Sequence, residues 1–201
     1  MPAIKFSCPL SHQGLVAVNE PHEVDALAAS FITPSRPPDR MPTGFLVSED
    51  ETYAYPVLDD IPVLLGSAAW TSSASARVDS SIYDQALADD VLYGGVVAER
   101  GDDDPEAARL LKLASESGTF LDRPERWIDN SNMMSAEVAA LTHLDPIEGR
   151  TCLQLGGRGQ YAIAMAIGGG AAGLVSPVFD ELRYARNLAR QCGVELALAV
   201  G

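Results

Sequence analysis

Three closely spaced glycines near the carboxyl end of the sequence form the pattern with the clearest chemical use. Gly156, Gly157 and Gly159 directly follow residues 152–155, an apolar run typical of a buried strand, and precede a run with helical character. Glycine lets the backbone turn with no Cβ in the way, so N–H groups at a helix start can donate to a ligand. Doubly wound α/β domains hold nucleotide-type cofactors in this way. The spacing therefore predicts half of a cofactor site.

No second constellation of residues predicts catalysis or metal binding. The cysteines and histidines are scattered, which argues against a disulfide framework and a close ligand set: Cys8, Cys152, Cys192, His12, His22 and His143. A structural zinc ion needs about four nitrogen or sulfur ligands. The first part of the chain supplies at most Cys8, His12 and His22, so we expect no metal there. No spacing of a nucleophile with a base is evident either, and no catalytic residue is assigned.

Composition limits the partners that this chain can have. Of its 201 residues, 47% are hydrophobic and 21% are charged, which is typical of a globular chain that can bury a core. The formal net charge of -14 opposes binding to nucleic acid, which needs clustered Lys and Arg side chains. The sequence shows neither a signal peptide nor an apolar run of about 18 residues. We therefore expect a cytoplasmic protein with no membrane or nucleic-acid partner.

Strands and helices must alternate around the glycines to position them. The pattern predicts three strands separated by two helices: strands at 152–155, 172–175 and 194–200, and helices at 159–167 and 180–192. Gly193 is expected to cap the end of the second helix. Alternation of this kind favours a parallel sheet with right-handed crossovers.

Two further segments precede this part of the chain. Residues 1–70 are predicted to form a small β-rich module and residues 71–150 a helical connector, followed by a partial Rossmann-like domain at 151–201. In the module we expect strands at 4–6, 45–48 and 53–57 and a helix at 23–31, and in the connector helices at 82–93, 104–118 and 131–143. The predicted fold class is α/β: a β-rich module, a helical connector and the first strands of a parallel sheet.

The last segment resembles the class I S-adenosylmethionine-dependent methyltransferases. Residues 153–160 (LQLGGRGQ) resemble the first motif of that family, and residues 175–194 are similar to its second strand, the helix behind it and the start of its third strand. The resemblance implies S-adenosylmethionine as a small-molecule cofactor, with the glycines cradling its methionine part and Ser176 near its ribose. The cofactor-binding residues so implied are Gln154, Leu155, Gly156, Gly157, Gly159, Ser176 and Pro177.

Two positions depart from the pattern of that family. Gln154 replaces the acidic residue that is usual in the first strand, and Ser176 stands where a carboxylate normally holds the ribose hydroxyls. Both side chains can hydrogen-bond, but they lack the charge that strengthens such bonds. A complete domain of this class also has more strands than the three predicted here. We therefore expect a truncated domain, the first part of a longer protein.

The first module is similar to the small zinc-ribbon-like activator subunit of tRNA and protein methyltransferases. Residues 55–65 (YPVLDDIPVLL) resemble a late motif of that family, and Cys8 with Pro9 resembles the start of its early motif. Ser11 stands where the early motif has its second cysteine. The resemblance therefore implies a zinc-ribbon-like β module, which the ligand count predicts to be without zinc.

Methyl transfer from S-adenosylmethionine is the function that these resemblances imply, with an acceptor that the residues do not identify. The alternative is a non-catalytic binding or scaffold protein that uses a degenerate methyltransferase fold. In that case the first module docks a protein partner, or an exposed edge of the sheet pairs with another chain in a homo-oligomer. A nicotinamide-dependent enzyme is less favoured, because no acidic residue ends the second strand and the glycine spacing departs from the dinucleotide fingerprint.

Overall fold

The structure is a computed structural model that describes residues 4–33, 39–73, 81–94, 105–117 and 149–201. It is mixed α/β, with one antiparallel and one parallel sheet. The chain groups into two compact units. One comprises Met1–Ile4, Ala98–Val175 and Arg183–Ala197, and the other comprises Lys5–Val97, Ser176–Leu182 and Leu198–Gly201.

The antiparallel sheet occupies the amino-terminal part of the chain. Its strands are β1 (Leu15–Val18), β2 (Gly44–Ser48), β3 (Tyr53–Leu58), β4 (Ile61–Pro62) and β5 (Trp70–Thr71). The strand order is β1-β2-β3-β4, and β5 pairs with β3. Helix α1 (Pro21–Ser30) turns Val24 towards a core that contains Phe45 and Trp70. The predicted helix in this module is thereby confirmed.

The predicted strands at 45–48 and 53–57 are also confirmed, and they form a hairpin at the centre of this sheet. Strands β2 and β3 pair antiparallel, with Val47 opposite Ala54. The acidic turn between them is organised by the buried hydroxyl of Ser48, which donates to Asp50 Oδ1 at 2.6 Å and accepts from the amide of Tyr53 at 3.0 Å. Because Glu51 has a φ of 55°, the chain reverses within a short turn.

The prediction of a strand at residues 4–6 is wrong. That segment contains no strand, and only an isolated bridge joins Ser7 to Gly14. A tight turn lies between the two, in which the amide of Cys8 donates to the carbonyl of Gln13 at 2.8 Å. The segment that follows this turn, β1, supplies the first strand instead, since it reaches the free edge of β2.

The parallel sheet has the predicted alternation of strands and helices. Its order is β6 (Thr151–Leu155), β7 (Ala171–Ser176) and β8 (Ala197–Val200), with α4 (Gln160–Ile167) and α5 (Phe179–Gln191) as connections. Strands β6 and β7 run parallel, with Leu153 opposite Gly173. Gly193 has a φ of 70° after α5, as expected of a helix cap. The last strand begins at Ala197 rather than at the predicted residue 194.

Two helices of the predicted connector lie within the described residues. They are α2 (Ile82–Tyr93) and α3 (Pro105–Ser117). The predicted helix at 131–143 lies outside the described part of the chain. Helix α3 contributes Ala107 and Leu110 to a core with Ile163 of α4 and Leu188 of α5. This core covers one face of the parallel sheet.

The strand predicted at residues 152–155 is present, but the prediction that it is buried is wrong. Leu153 is 52% exposed and Leu155 is 77% exposed, whereas Cys152 and Gln154 are half-buried. Successive side chains of a strand point to opposite faces, so only Cys152 and Gln154 turn towards the helices. Within the described residues β6 pairs only with β7, and it is therefore an edge strand.

Candidate functional site

The glycine loop, defined here as residues 156–159, connects the carboxyl end of β6 to the start of α4. Gly156, Gly157 and Gly159 have φ values of 74°, 77° and 79°, in the left-handed region that side chains with a Cβ rarely adopt. The sequence predicted a turn that requires glycine, and these angles confirm it.

Gly159 is also required for close packing. A Cβ built on Gly159 would lie 2.7 Å from the Cβ of Ala185 in α5 and 3.2 Å from Cδ2 of Leu174 in β7. At Gly156 the same atom would meet nothing within 4 Å. Gly159 thus allows the start of α4 to pack against β7 and α5, whereas Gly156 is needed only for the turn.

The backbone amides of the glycine loop differ in what they bind. The amide of Gly156 donates to the carbonyl of Val175 at 2.7 Å and so continues the pairing with β7. Within the part of the chain that the structure describes, the amides of Gly157 and Arg158 make no hydrogen bond, and both residues are exposed. Backbone donors in a glycine turn that leads into a helix can bind an anionic or polar ligand group.

Gln154 connects the glycine loop to the first turn of α4. Its Nε2 donates to the carbonyl of Gly156 at 2.8 Å, and its Oε1 accepts from the amide of Ala162 at 3.0 Å. Sequence reasoning assigned this residue to the cofactor. The structure uses both polar atoms of its side chain within the protein.

Charged side chains around the glycine loop are paired. The guanidinium of Arg158 lies 5.7 Å from the ring centre of Tyr184. Gln160 Nε2 donates to Glu106 Oε1 at 3.3 Å, and Glu106 also accepts from Nε of Arg109 at 2.7 Å. This hydrogen bond raises the pKa of Arg109 above its ordinary value. Sequence reasoning missed these residues, since nothing in their spacing relates α3 to the loop.

Ser176 and Pro177 follow β7 and differ in exposure. Ser176 is fully buried, and its hydroxyl donates to Glu181 Oε2 at 3.0 Å and accepts from the amide of Val178 at 3.1 Å. Its single proton is therefore already bound to a carboxylate, and Pro177 is exposed. Glu181, which sequence reasoning missed, lies five residues after Ser176 in the first turn of α5. The signal in the sequence that could have identified Glu181 is an acidic residue five positions after a serine.

Cys8, in the unit that includes Lys5–Val97, is buried and hydrogen-bonded. Its Sγ lies 3.3 Å from Oη of Tyr55 and accepts from the amide of Ser11 at 3.3 Å. Burial alone would raise the pKa of the Cys8 thiol, but these hydrogen bonds outweigh it and hold the pKa below its ordinary value. Burial, and then the contact with Cys8, raises the pKa of Tyr55. Among the described residues no group of three or more His, Cys, Asp or Glu side chains is placed to hold a metal ion.

Comparison of the chain with models of protein families, with curated proteins and with solved structures found no match. A search for membrane spans, limited to the described residues, found no helix long and apolar enough to cross a bilayer.

Proposed function

We propose that the glycine loop binds S-adenosylmethionine and that the chain contributes the cofactor-binding part of a class I methyltransferase domain. The observation that carries the proposal is the pair of exposed amides at Gly157 and Arg158, which make no hydrogen bond within the described residues. Left-handed glycines present them between a parallel strand and a helix. Parallel sheets bind nucleotide-type ligands at the carboxyl ends of their strands, where this loop lies.

The strand order supports a Rossmann-like arrangement. Strands β6, β7 and β8 are neighbours in chain order, and α4 and α5 connect them. Under this proposal the glycine loop holds the methionine part of the cofactor through backbone amides. The roles of Leu155, Ser176 and Pro177 near the cofactor follow from the family resemblance. When bound, the cofactor supplies an activated methyl group, and no residue is assigned to the methyl acceptor.

Calorimetric titration of the 201-residue chain with S-adenosylhomocysteine tests this function. We expect saturable binding that is lost in Gly157→Asp, because a carboxylate beside the exposed amides repels the carboxylate of the ligand. Gly193→Asp is the matched control, since Gly193 has a similar φ of 70° and a Cβ there meets nothing within 4 Å. Absence of binding by the folded chain, or equal binding by Gly157→Asp, would contradict the proposal.

A non-catalytic scaffold is the second candidate, and the exposed edge of β6 favours it. Within the described residues β6 pairs only with β7, and Leu153 and Leu155 are 52% and 77% exposed. Such an edge strand with apolar side chains can add a strand from a protein partner or a second copy. For a scaffold of this kind, S-adenosylmethionine leaves the melting temperature unchanged, and Leu155→Lys abolishes self-association in analytical ultracentrifugation. A ligand that binds only the folded state would instead raise the melting temperature.

A further inference from the structure

Gln154 holds the glycine loop through both polar atoms of its carboxamide. One atom donates to the carbonyl of Gly156 at 2.8 Å, in the first residue of the loop, and the other accepts from the amide of Ala162 at 3.0 Å, in the first turn of α4. We infer that Gln154 is a positioning residue, which fixes the loop relative to the helix and so sets the direction of the exposed amides. The part of this inference that concerns the cofactor rests on the proposed function.

The two contacts require a side chain that donates and accepts without a charge. A carboxylate accepts only, so a glutamate at this position could bind the amide of Ala162 but would set a second oxygen against the carbonyl of Gly156. This requirement gives a physical reason for glutamine where an acidic residue is usual in the family. The departure is a different support for the loop rather than a weaker ligand contact.

The amide of Ala162 lies in surroundings that offer it little access to water. Ala162 is 3% exposed, so its amide has no ready access to water if Oε1 is removed. A buried amide left without an acceptor destabilises its own segment. A Cβ on Gly157 would lie 3.4 Å from Nε2 of Gln154, an ordinary van der Waals distance.

Hydrogen exchange of the Ala162 amide, measured by NMR on the full chain, tests the positioning role without any ligand. At pH 7 we expect exchange, corrected for its intrinsic rate, to be about tenfold faster in Gln154→Glu, because one hydrogen bond is lost and two acceptors face each other. Thr151→Glu is the control, since it adds the same carboxyl to the exposed start of β6 without touching the loop. Its exchange at Ala162 should equal that of the wild type.

Acid should reverse the effect of Gln154→Glu. The carbonyl of Gly156 opposes ionisation of the introduced carboxyl, whereas the amide of Ala162 favours it. Once protonated, the carboxyl can donate to the carbonyl of Gly156, so protection of Ala162 should return towards the wild-type value as the pH falls below about 4. The charged groups near the loop, Arg158, Glu106 and Arg109, are present in every variant.

Equal protection of Ala162 in the wild type and Gln154→Glu at pH 7, or faster exchange with no recovery in acid, overturns the positioning role. Gln154→Met decides the question if the first variant does not fold, because it has a similar length and neither polar atom. Unchanged protection in that variant also overturns the inference, whereas faster exchange at every pH supports it.

Titration with S-adenosylhomocysteine separates this inference from the proposed function. We expect Gln154→Glu to bind about tenfold more weakly than the wild type at pH 7, matching its loss of protection. Equal affinity with altered protection would show that the position of the loop does not control the ligand, and would overturn that part. Failure of the wild type to bind would count against the proposed function, while the exchange comparison still decides the role of Gln154.

Discussion

The three glycines of the loop are required for different physical reasons, although the sequence presents them as one motif. Gly156 and Gly157 serve the turn, and their amides differ because, among the described residues, only that of Gly156 has an acceptor, the carbonyl of Val175. Gly159 is the position where a Cβ would overlap other atoms. The types and spacing predicted the turn and the close approach. They could not predict which amides stay exposed, since that depends on the pairing of β6 with β7.

Substitution of these glycines should separate backbone strain from steric overlap. We expect Gly159→Ala to lower the free energy of unfolding by about 2–4 kcal/mol, since it combines a left-handed φ with a contact that must be relieved. Gly156→Ala has a similar φ and open space, and should cost about 1 kcal/mol. Urea unfolding of both variants measures the difference. Equal costs would contradict the close packing at Gly159.

At the scale of elements, periodicity and the positions of glycines predicted residues 151–191 well. Strands β6 and β7 and helices α4 and α5 appear within one residue of their predicted bounds. The error at residues 4–6 has a different origin. A short apolar run does not indicate which strand it will pair with. The strand that pairs with β2 is β1 at Leu15–Val18, and tertiary packing rather than local sequence decides this.

The exposure of β6 could not be predicted either, because an apolar run does not reveal whether its strand lies at a sheet edge. Leu155 is 77% exposed whereas Leu174 of β7 is fully buried. We expect Leu155→Thr to change the free energy of unfolding by no more than about 0.5 kcal/mol, and Leu174→Ala to lower it by about 2–5 kcal/mol. Chemical unfolding of the two variants checks this. A large cost for Leu155→Thr would show that this face is covered.

The β2–β3 hairpin should contribute a pH-dependent part of stability. The hydrogen bond from Ser48 holds the pKa of Asp50 below its ordinary value, so the folded protein favours the ionised carboxylate. That contribution is present above the ordinary pKa of about 3.9 and is lost as the pH falls through the lowered value. We expect the wild type to exceed Asp50→Asn in urea midpoint at pH 7, with the difference shrinking as the pH falls below the ordinary value of about 3.9.

Glu51→Gln provides the control for the hairpin, because it removes a charge from the same turn. Within the described residues the Glu51 side chain makes no hydrogen bond. For Glu51→Gln we do not expect a lower urea midpoint at pH 7 that recovers in acid, as we do for Asp50→Asn. A gap between the wild type and Asp50→Asn that persists in acid would contradict the assignment to the carboxylate of Asp50.

At the scale of the whole molecule, composition indicated a globular chain but not which distant segments of it pair with one another. Shifts in composition suggested segments 1–70, 71–150 and 151–201, and that division stays a prediction. In the structure Leu198–Gly201 belongs to the same unit as Lys5–Val97, and the amide of Leu64 donates to the carbonyl of Val200 at 2.9 Å. Such a pairing joins distant parts of the sequence, and local patterns contain no signal for it.

We propose that the amides of Gly157 and Arg158 in the glycine loop bind S-adenosylmethionine. The most direct measurement is a ¹⁵N-resolved NMR titration of the full chain with S-adenosylhomocysteine. We predict saturable shifts that are largest at the amides of Gly157 and Arg158, and smaller shifts at Gly193, a left-handed glycine outside the loop. Shifts that do not saturate, or that spare the loop while moving resonances of residues 5–73, would contradict the claim.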